Sequence, residues 1–367
     1  MSVRDALPEE LEDWDARTVG EPGGHVYQSR AWAEHRRATG WQPRFLVTDD
    51  GGRALALTRR WPLVRSGSAY LPRGPVPMGA DAAALGARLV AIGDALAAEG
   101  IDVVAADSEV PAAAREFRTA IEVAGFHAIE EIQPSRHRVS LPLEAGVDED
   151  RAFRTIAKST RQRIRGAEHT GVDIVRHDTR ASPDGPGEGF IVAGEPAEAA
   201  LERFYDLLLE TAERRHFRLG PRSILGWWIT ALEAGHLVYL EARARDAPGG
   251  TLAGLILYRH GDRLSTVHSG DHSMTRSRHP GALHLLRWRA IQLAIREGRV
   301  EMDLAGVDVA GARGEPQKGD PLYGLYQHKM SFGGRWLQMT GAHERIYDPN
   351  GYRVGRLVSR VARLVRR

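Results

Sequence analysis

The feature that most constrains the fold of this chain is a pattern that occurs once in each half. AIGDALAAEGIDVVAAD, which ends at Asp107, and RAIQLAIREGRVEMDLAG, which ends at Gly306, each carry Ala-Ile, then Leu-Ala, then Glu-Gly, then an apolar run with an acidic residue. A glycine directly after a helix-periodic segment predicts a helix end, so each stretch is predicted to be a helix that leads into a strand. Chance similarity between two Ala/Leu-rich helices is the alternative, and the shared order beyond the helices favours an internal duplication.

Runs with strand periodicity precede both helices. RFLVTDD, RALALTRRWPLV and SAYLP come before the first helix, and HLVYLEARARD, TLAGLILYRHG and RLSTVHSG come before the second. Two copies of a strand meander, a helix and a further strand predict an α/β fold with mixed (α+β) sheets. The 367 residues are enough for two hydrophobic cores. We predict the first domain at residues 1–144 and the second at 145–342.

Local signals predict several further elements. Ser29 and Gly40 predict the start and the end of a helix in QSRAWAEHRRATG, and another helix is predicted from Pro111 to Ala124. DEDRAFRTIAKSTRQRIRGAEHTG is predicted to be one helix that ends at Gly171, with a strand in SRHRVSLPL before it. The Pro- and Gly-rich RASPDGPGEG is predicted to be a surface loop.

The composition excludes several classes of protein. The absence of cysteine excludes disulfides, thiolate catalysis and cysteine metal sites. A formal net charge of +2 means that an anionic partner would be bound by local patches rather than by a global field. The apolar runs are too short to span a bilayer, and the acidic MSVRDALPEELEDWDAR has no apolar core of a signal peptide, so we expect a cytoplasmic protein.

Lysine is rare in this chain and therefore informative. It occurs only at positions 158, 318 and 329, among 50 lysines plus arginines. A compact ammonium suits a developing oxyanion better than a planar guanidinium, which favours bidentate phosphate or carboxylate geometry. Lys329 in YQHKMSFGG is therefore a candidate site residue, whereas Lys318 in ARGEPQKGDP is predicted to be exposed to solvent.

Four short motifs occur in a characteristic order: WAEHRRATGW, YLPRGPV, KSTRQRIRGAEHTGV and YQHKMSFGG. With the duplicated meander, helix and strand, they resemble the FemABX family of peptidoglycan bridge-forming aminoacyltransferases, which contain two GNAT-like acyltransferase domains. The resemblance covers nearly the whole chain and implies the compact form without a helical-arm insertion. It also implies that residues 343–367 pack back on the first domain.

The resemblance implies an enzyme that moves an amino acid from aminoacyl-tRNA to the peptide stem amine of a peptidoglycan precursor. The amino acid would be Gly, Ala or Ser, the acceptor would be lipid II or UDP-MurNAc-pentapeptide, and no cofactor would be needed. An aminoacyl ester is already activated, so the enzyme must remove a proton, stabilise an oxyanion and assist the leaving group.

Several residues receive roles from the same resemblance. Lys329 is expected near the acceptor end of the tRNA, and Asp107 matches a position proposed as a general base, although it could equally cap the helix predicted at Pro111. The resemblance also implies two sets of binding residues, and an ordinary surface or core role is the alternative for each residue. The expected precursor-binding residues are Arg36, Tyr70, Arg73, Arg214 and Arg218, and the expected tRNA-binding residues are Lys158, Arg161 and Lys329.

Two other chemistries are disfavoured. A GNAT loop for coenzyme A would use backbone N–H groups at a helix start, but RSRHPGALHLL and RGPVPMGADA place proline there. The polar stretch HSGDHSMTRSRH holds His268, Asp271, His272 and His279, yet without helical placement their spacing is weak evidence for zinc, and we expect no metal.

The tail YRVGRLVSRVARLVRR predicts a basic amphipathic helix. It could lie on an anionic membrane surface or dock on the first domain, and the sequence leaves both open. Three alternatives to the leading function also remain. They are an aminoacyl-tRNA-dependent ligase of natural-product peptides, an acyl-CoA N-acyltransferase and a non-catalytic RNA-binding protein.

Overall fold

The computed structural model describes residues 1–181, 189–216, 219–273, 278–308, 311 and 313–365. The chain forms two compact units. The first unit consists of Met1–Arg138, Asp308–Glu315 and Leu337–Arg367, and the second consists of Val139–Val307 and Pro316–Trp336. These bounds differ from the predicted 1–144 and 145–342, because the strand that starts at Arg138 joins the second sheet and because two later segments return to the first unit.

The α-helices are distributed over both units. Within the described residues they are α1 (Pro8–Glu12), α2 (Arg30–Ala38), α3 (Ala82–Ala98), α4 (Arg115–Val123), α5 (Glu149–Thr155), α6 (Lys158–His169), α7 (Ala197–Arg215), α8 (Ile224–Glu233), α9 (Ala282–Arg296), α10 (Tyr323–Met330) and α11 (Pro349–Val365). No helix in this part of the chain is long and apolar enough to cross a membrane.

The strands form two mixed sheets. They are β1 (Val3–Asp5), β2 (Gln42–Thr48), β3 (Arg53–Arg60), β4 (Gly67–Leu71), β5 (Ile101–Ala106), β6 (His127–Ala128), β7 (Arg138–Pro142), β8 (Val172–His177), β9 (Ile191–Val192), β10 (Leu237–Ala244), β11 (Ala247–His260), β12 (Arg263–Asp271), β13 (Glu301–Asp303), β14 (Arg335–Leu337) and β15 (His343–Ile346). The first sheet has the order β1-β2-β3-β4-β5-β15-β6, and the second has the order β14-β7-β13-β12-β11-β10-β8-β9.

The two units repeat one topology. In the first, the antiparallel strands β2, β3 and β4 lead through α3 to β5, which pairs parallel to β4. In the second, the antiparallel strands β10, β11 and β12 lead through α9 to β13, which pairs parallel to β12. Gly100 and Gly298 follow the two helices with φ of 90° and 66°, a conformation that glycine adopts without strain. The predicted duplication is therefore confirmed as a repeat of fold.

Each sheet packs its helices over a hydrophobic core. In the first unit, Leu89 and Ile92 of α3 lie against Leu71 and Val104 of the sheet. In the second unit, Leu286 and other apolar residues of α9 occupy the same position against β11 and β12. Full burial of one such side chain contributes about 1.5–3 kcal/mol. These contacts hold the parallel strand pairs in place.

Two predicted helices differ from the structure. The helix predicted through Gly171 is interrupted between α5 and α6, because Ile156 and Ala157 have extended backbones and the Ala157 N–H donates to Ser331 O at 2.8 Å. The helix predicted from Pro111 begins only at Arg115, because Pro111 forms a bridge with Met339. In both cases a pairing with a distant segment replaces local helical hydrogen bonds. The predicted loop at RASPDGPGEG lies largely outside the described residues.

Candidate active site

In the first unit, a buried carboxylate organises the ends of the parallel pair β4 and β5. Asp107 follows β5 and is 2% exposed. Its Oδ2 accepts a hydrogen bond from Tyr70 Oη at 2.9 Å, and its Oδ1 accepts one from the Arg73 backbone N–H at 2.7 Å. The Arg73 Nε lies 3.6 Å from Asp107 Oδ2 and 3.9 Å from Glu109 Oε1. Tyr70, Arg73, Asp107 and Glu109 are called the Asp107 cluster below.

Burial and neighbouring charges shift the pKa values of the groups in the Asp107 cluster. Burial raises the pKa of the Asp107 carboxyl, against the opposing effect of the Arg73 guanidinium. Burial, together with the Asp107 charge, raises the pKa of Tyr70 well above its usual value, so the phenol stays protonated and its O–H donates a hydrogen bond to the carboxylate. Burial acts to lower the pKa of Arg73, but Asp107 and Glu109 outweigh it. Arg73 thus pairs through its Nε with Asp107 and Glu109, and the Tyr70 phenol is hydrogen-bonded to Asp107.

Arg36 lies on α2 between two indole rings. Its Cζ is 5.5 Å from the centroid of Trp32 and 5.4 Å from that of Trp41. Trp32 in turn stacks on Tyr27 at 4.3 Å. No carboxylate among the described residues pairs with Arg36, and burial lowers its pKa. A guanidinium held flat by aromatic faces, without an internal counter-ion, is suited to bind an external anion.

In the second unit, the parallel strands β12 and β13 separate. They pair only from Arg263 with Glu301 to Ser265 with Asp303, whereas β12 continues to Asp271. In the first unit, by contrast, β4 and β5 stay paired to Leu71 with Ala106. The second unit therefore has a gap in its sheet beyond Asp303, between β12 and the segment that contains Gly306.

Lys329 lies beside this gap. It is on α10, is 5% exposed, and its Nζ donates to the backbone O of Gly306 at 2.9 Å. The residues that follow hold α10 in place: Phe332 is fully buried, and a Cβ on Gly334 would come within 2.5 Å of Val139 Cγ1. The SFGG sequence after the lysine thus has a packing role that positions the ammonium.

Two neutral histidines adjoin Lys329. The rings of His284 and His328 are 4.6 Å apart in an edge contact. Burial, with the charges of Arg163 and Arg287, lowers the pKa of His284 to about 4. Burial, with the charges of Arg287, Lys329 and other neighbours, lowers the pKa of His328 to about 2. Both imidazoles are therefore uncharged at neutral pH.

Arg287 completes this group, and sequence reasoning missed it. It is 4% exposed on α9, and burial lowers its pKa to about 10, so it remains charged at neutral pH. One signal was present in the sequence: Arg287 is four residues from both Leu283 and Ile291 and so interrupts an apolar helical stripe. His284, Arg287, His328 and Lys329 are called the Lys329 cluster below.

The other predicted residues lie apart from these clusters or are already paired. Lys158 is exposed at the start of α6, and Arg161 donates to Arg154 O at 2.7 Å. Arg214 pairs with Asp271 at 2.6 Å and with Glu210 at 3.3 Å, so its charge is largely neutralised within the chain. Arg218 lies outside the described residues.

Three of the four residues considered for zinc, two histidines and an aspartate, each have a different contact. His268 packs on Trp228 at 5.4 Å, Asp271 pairs with Arg214, and His272 pairs with Glu210. A different set of donors does come together, since ligand atoms of His177, Glu195 and Glu241 lie within 4.8 Å of one another. Arg203 and Arg243 already pair with these carboxylates, which makes the set an ion-pair network rather than a cation site.

Comparison with known proteins agrees with this topology. Residues 154–318 match a family model described as an acetyltransferase (GNAT) domain. The crystal structure of FemX aligns with 96% of this chain and 99% of its own, with a TM-score of 0.76 and 18% sequence identity. The chain has the tandem GNAT fold of FemX.

A second solved structure shares the arrangement. L-PGS from Bacillus licheniformis aligns over 98% of both chains with a TM-score of 0.54 and 11% identity. No curated protein sequence matches this chain. The predicted fold class and the FemABX-like tandem GNAT architecture are thus confirmed, and the comparisons support an enzyme that transfers an acyl or aminoacyl group.

Proposed function

We propose that this chain transfers an amino acid from aminoacyl-tRNA to the peptide stem amine of a peptidoglycan precursor, either lipid II or its UDP-linked form. The observation that carries the proposal is the gap between β12 and β13 with the Lys329 ammonium beside it. Such a gap gives an extended acyl donor access to the interior of the sheet, and the buried cation stabilises an oxyanion that forms there. The FemX fold over nearly the whole chain supports the same assignment.

The two units take different substrates in this proposal. In the second, Lys329 binds the 3′ end of the donor or the tetrahedral oxyanion, and Lys158 and Arg161 on α6 contact phosphates of the tRNA. In the first, Arg36 and Arg73 bind the diphosphate of the precursor, since Arg36 has no internal counter-ion. Asp107 acts as a positioning residue for Tyr70 and Arg73, because both of its oxygens already accept hydrogen bonds from them.

The donor is proposed to be aminoacyl-tRNA rather than an acyl-coenzyme A. The N-terminus of α3, which corresponds to the phosphate-binding helix of a GNAT domain, is capped by its own Asp81, whose Oδ1 accepts from the Ala84 N–H at 2.8 Å. The corresponding helix in the second unit follows Pro280, which has no N–H to offer. The start of α3 therefore does not offer a full set of free amides to a diphosphate, and at the start of α9 the Ala282 N–H already donates to His279 O at 3.3 Å.

The direct test is transfer of labelled amino acid from a mixed pool of charged tRNAs to lipid II, with and without ribonuclease. We expect label in lipid II that disappears after ribonuclease treatment. Parallel reactions contain the UDP-linked precursor as acceptor, or labelled acetyl-coenzyme A as donor. Transfer from acetyl-coenzyme A that resists ribonuclease would refute the tRNA-dependent assignment, and transfer to neither precursor would refute the peptidoglycan acceptor.

We further propose that α11 binds an anionic membrane surface, where lipid II is found. In this proposal, one side of the helix docks on the first unit while another side contacts the membrane. It docks through glycines, since a Cβ on Gly355 would come within 2.4 Å of the Trp61 ring and one on Gly351 within 2.6 Å of Asp102. Another side leaves Val354, Leu357 and Val361 about half exposed, and Arg353, Arg356 and Arg360 lie next to them around the helix. The exposed side has the composition of an interfacial helix.

The Leu357→Glu variant is expected to weaken binding to vesicles that contain phosphatidylglycerol by about 10–100-fold, because insertion of one leucine contributes about 1.5–3 kcal/mol. Co-sedimentation with these vesicles measures the effect, and phosphatidylcholine vesicles show the part that depends on charge. Val123→Glu, at an exposed position on α4, is the matched control and is expected to bind like the wild type. Equal binding of the Leu357 variant and the wild type would count against the membrane proposal.

A further inference from the structure

The Lys329 cluster contains a positive charge that its surroundings do not neutralise. Among the described residues, neither Nε nor Nη1 of Arg287 has a hydrogen-bond partner, and its Nη2 makes only a long hydrogen bond, 3.5 Å, to Ser269 Oγ. Within the described residues, no carboxylate pairs with Arg287, His284 or His328. The buried guanidinium is therefore desolvated without a counter-ion.

Two other deeply buried arginines of the described residues, Arg88 and Arg259, pair with carboxylates. Arg259, which is 2% exposed, binds Asp178 at 2.7 Å and also pairs with Glu297. Removing a charge from water is unfavourable unless a partner of opposite sign replaces the lost solvation. The contrast between Arg259 and Arg287 indicates that the partner of Arg287 is not among the described residues, and it favours a ligand in that place.

We propose that Arg287, with the neighbouring His284 and His328 imidazoles, forms a subsite for a phosphodiester oxyanion, and that Arg163 forms its outer end. Arg163 Nη1 lies 3.4 Å from His284 Nε2. An arginine can only donate, so the proton of the neutral His284 ring resides on Nδ1, where it is available to an anion. A path into the second unit thus runs from exposed Arg163 past half-buried His284 and His328 to buried Arg287.

The start of α9 allows the backbone of α6 to lie very close to it. Gly281 has φ of 100°, and a Cβ there would come within 2.3 Å of the Arg163 backbone O. Only glycine allows α6 to lie this close to α9, and this contact places Arg163 beside His284. A side chain at position 281 would separate the surface cation from the interior of the subsite.

A phosphodiester fits this path better than a single carboxylate. Exposed Arg163 adds a second cation to buried Arg287, and two cations suit a ligand that carries successive negative charges. The identity of the ligand rests on the proposed function, in which a phosphodiester of the aminoacyl-tRNA acceptor end occupies the subsite. The existence of an oxyanion subsite rests only on the contacts of Arg287 and its neighbours.

The decisive variant is Arg287→Met, because the two interpretations of this residue predict opposite changes. A structural arginine would make the variant less stable. If Arg287 serves to bind a ligand, the variant is expected to be more stable than the wild type, since an apolar side chain replaces an uncompensated buried charge. We expect the midpoint of thermal unfolding to rise by about 2–4 °C. We also expect inorganic phosphate to raise the midpoint of the wild type but not that of the variant.

Arg296→Met is the matched control, because it removes an arginine of the same helix that pairs with Glu149. It is expected to keep the phosphate response. Sodium acetate at equal ionic strength tests the other source of an oxyanion, and stabilisation by acetate equal to that by phosphate would overturn the phosphodiester assignment. A phosphate response that persists in Arg287→Met, or a variant that is less stable than the wild type, would overturn the subsite.

The transfer reaction then separates this inference from the proposed function. With aminoacyl-tRNA as the varied substrate, Arg287→Met is expected to raise KM for the donor at least tenfold and to leave KM for the precursor unchanged. An unchanged donor KM would overturn the role in donor binding. Failure of the wild type to use any aminoacyl-tRNA, with the phosphate response intact, would refute the proposed function and leave the oxyanion subsite standing.

Discussion

The Lys329→Ala variant is expected to lose about 10²–10³-fold in kcat/KM for aminoacyl transfer. The ammonium is 5% exposed and is fixed by its hydrogen bond to Gly306 O, so it needs no reorganisation when an oxyanion forms. Such preorganised charge acts in a site from which water is largely excluded, where its effect is larger than at a surface. Initial rates at subsaturating donor measure the effect.

The matched control for this prediction is Lys318→Ala, which removes an exposed lysine of the same chain and is expected to keep full activity. Lys329→Met separates a chemical role from a packing role, because it keeps most of the side-chain volume and removes the charge. Lys329→Arg is not expected to restore the rate, since a guanidinium is larger and planar. Full activity in Lys329→Met would show that the charge has no part in the reaction.

Replacing Asp107 by alanine is expected to reduce the free energy of unfolding by about 3–5 kcal/mol, because it leaves the buried Arg73 without its nearest counter-ion. Tyr70 Oη and the Arg73 N–H also lose their acceptor. A shift of the urea unfolding midpoint to lower concentration measures the change, provided that the slope of the transition is unchanged.

The control for Asp107 is Asp94→Ala, which breaks a surface pair with Arg345 in the same unit. It is expected to cost at most about 1 kcal/mol, because exposed ion pairs contribute little. Asp107→Asn tests the positioning role in the assay. If Asp107 positions Tyr70 and Arg73, the Asp107→Asn variant is expected to lose as much activity as Tyr70→Phe. It is also expected to bind the precursor more weakly than the wild type. A loss confined to kcat, in a variant as stable as the wild type, would instead favour proton transfer by Asp107.

Part of the candidate site followed from sequence patterns alone. Lys329 was selected because lysine is rare in this chain, and the structure places it buried beside the gap in the second sheet. Asp107, at a strand end, was selected because it matches an acidic position of the family that the chain resembles, and its alternative role as a helix cap does not apply, since the next helix begins only at Arg115. Their roles in catalysis remain predictions.

Arg287 could not be assigned a role from the sequence. Its position on an apolar stripe was visible, but the absence of a carboxylate around it depends on which side chains of α6, α10 and β12 lie nearby. Arg214 shows the converse case. It was expected to bind phosphate, and the chain supplies Asp271 as its partner from a strand far away in sequence. Charge compensation is a property of the packed structure.

The sequence by itself determined the elements whose signals are local. Ser29 caps α2 through its side chain, Gly100 and Gly298 end the two long helices, and alternating runs gave the strands of both meanders. These features need only the preferences of a few adjacent residues. Because they recur in the same order, the duplicated α/β architecture was predictable as well.

The tertiary structure alone decided the features that join distant segments. The break between α5 and α6 depends on a hydrogen bond from Ala157 to Ser331, and the gap in the second sheet depends on where β13 stops pairing with β12. The side on which α11 docks depends on the fit of Gly355 against Trp61. In each case the competing local states differ little in free energy, so contacts made only in the folded chain select between them.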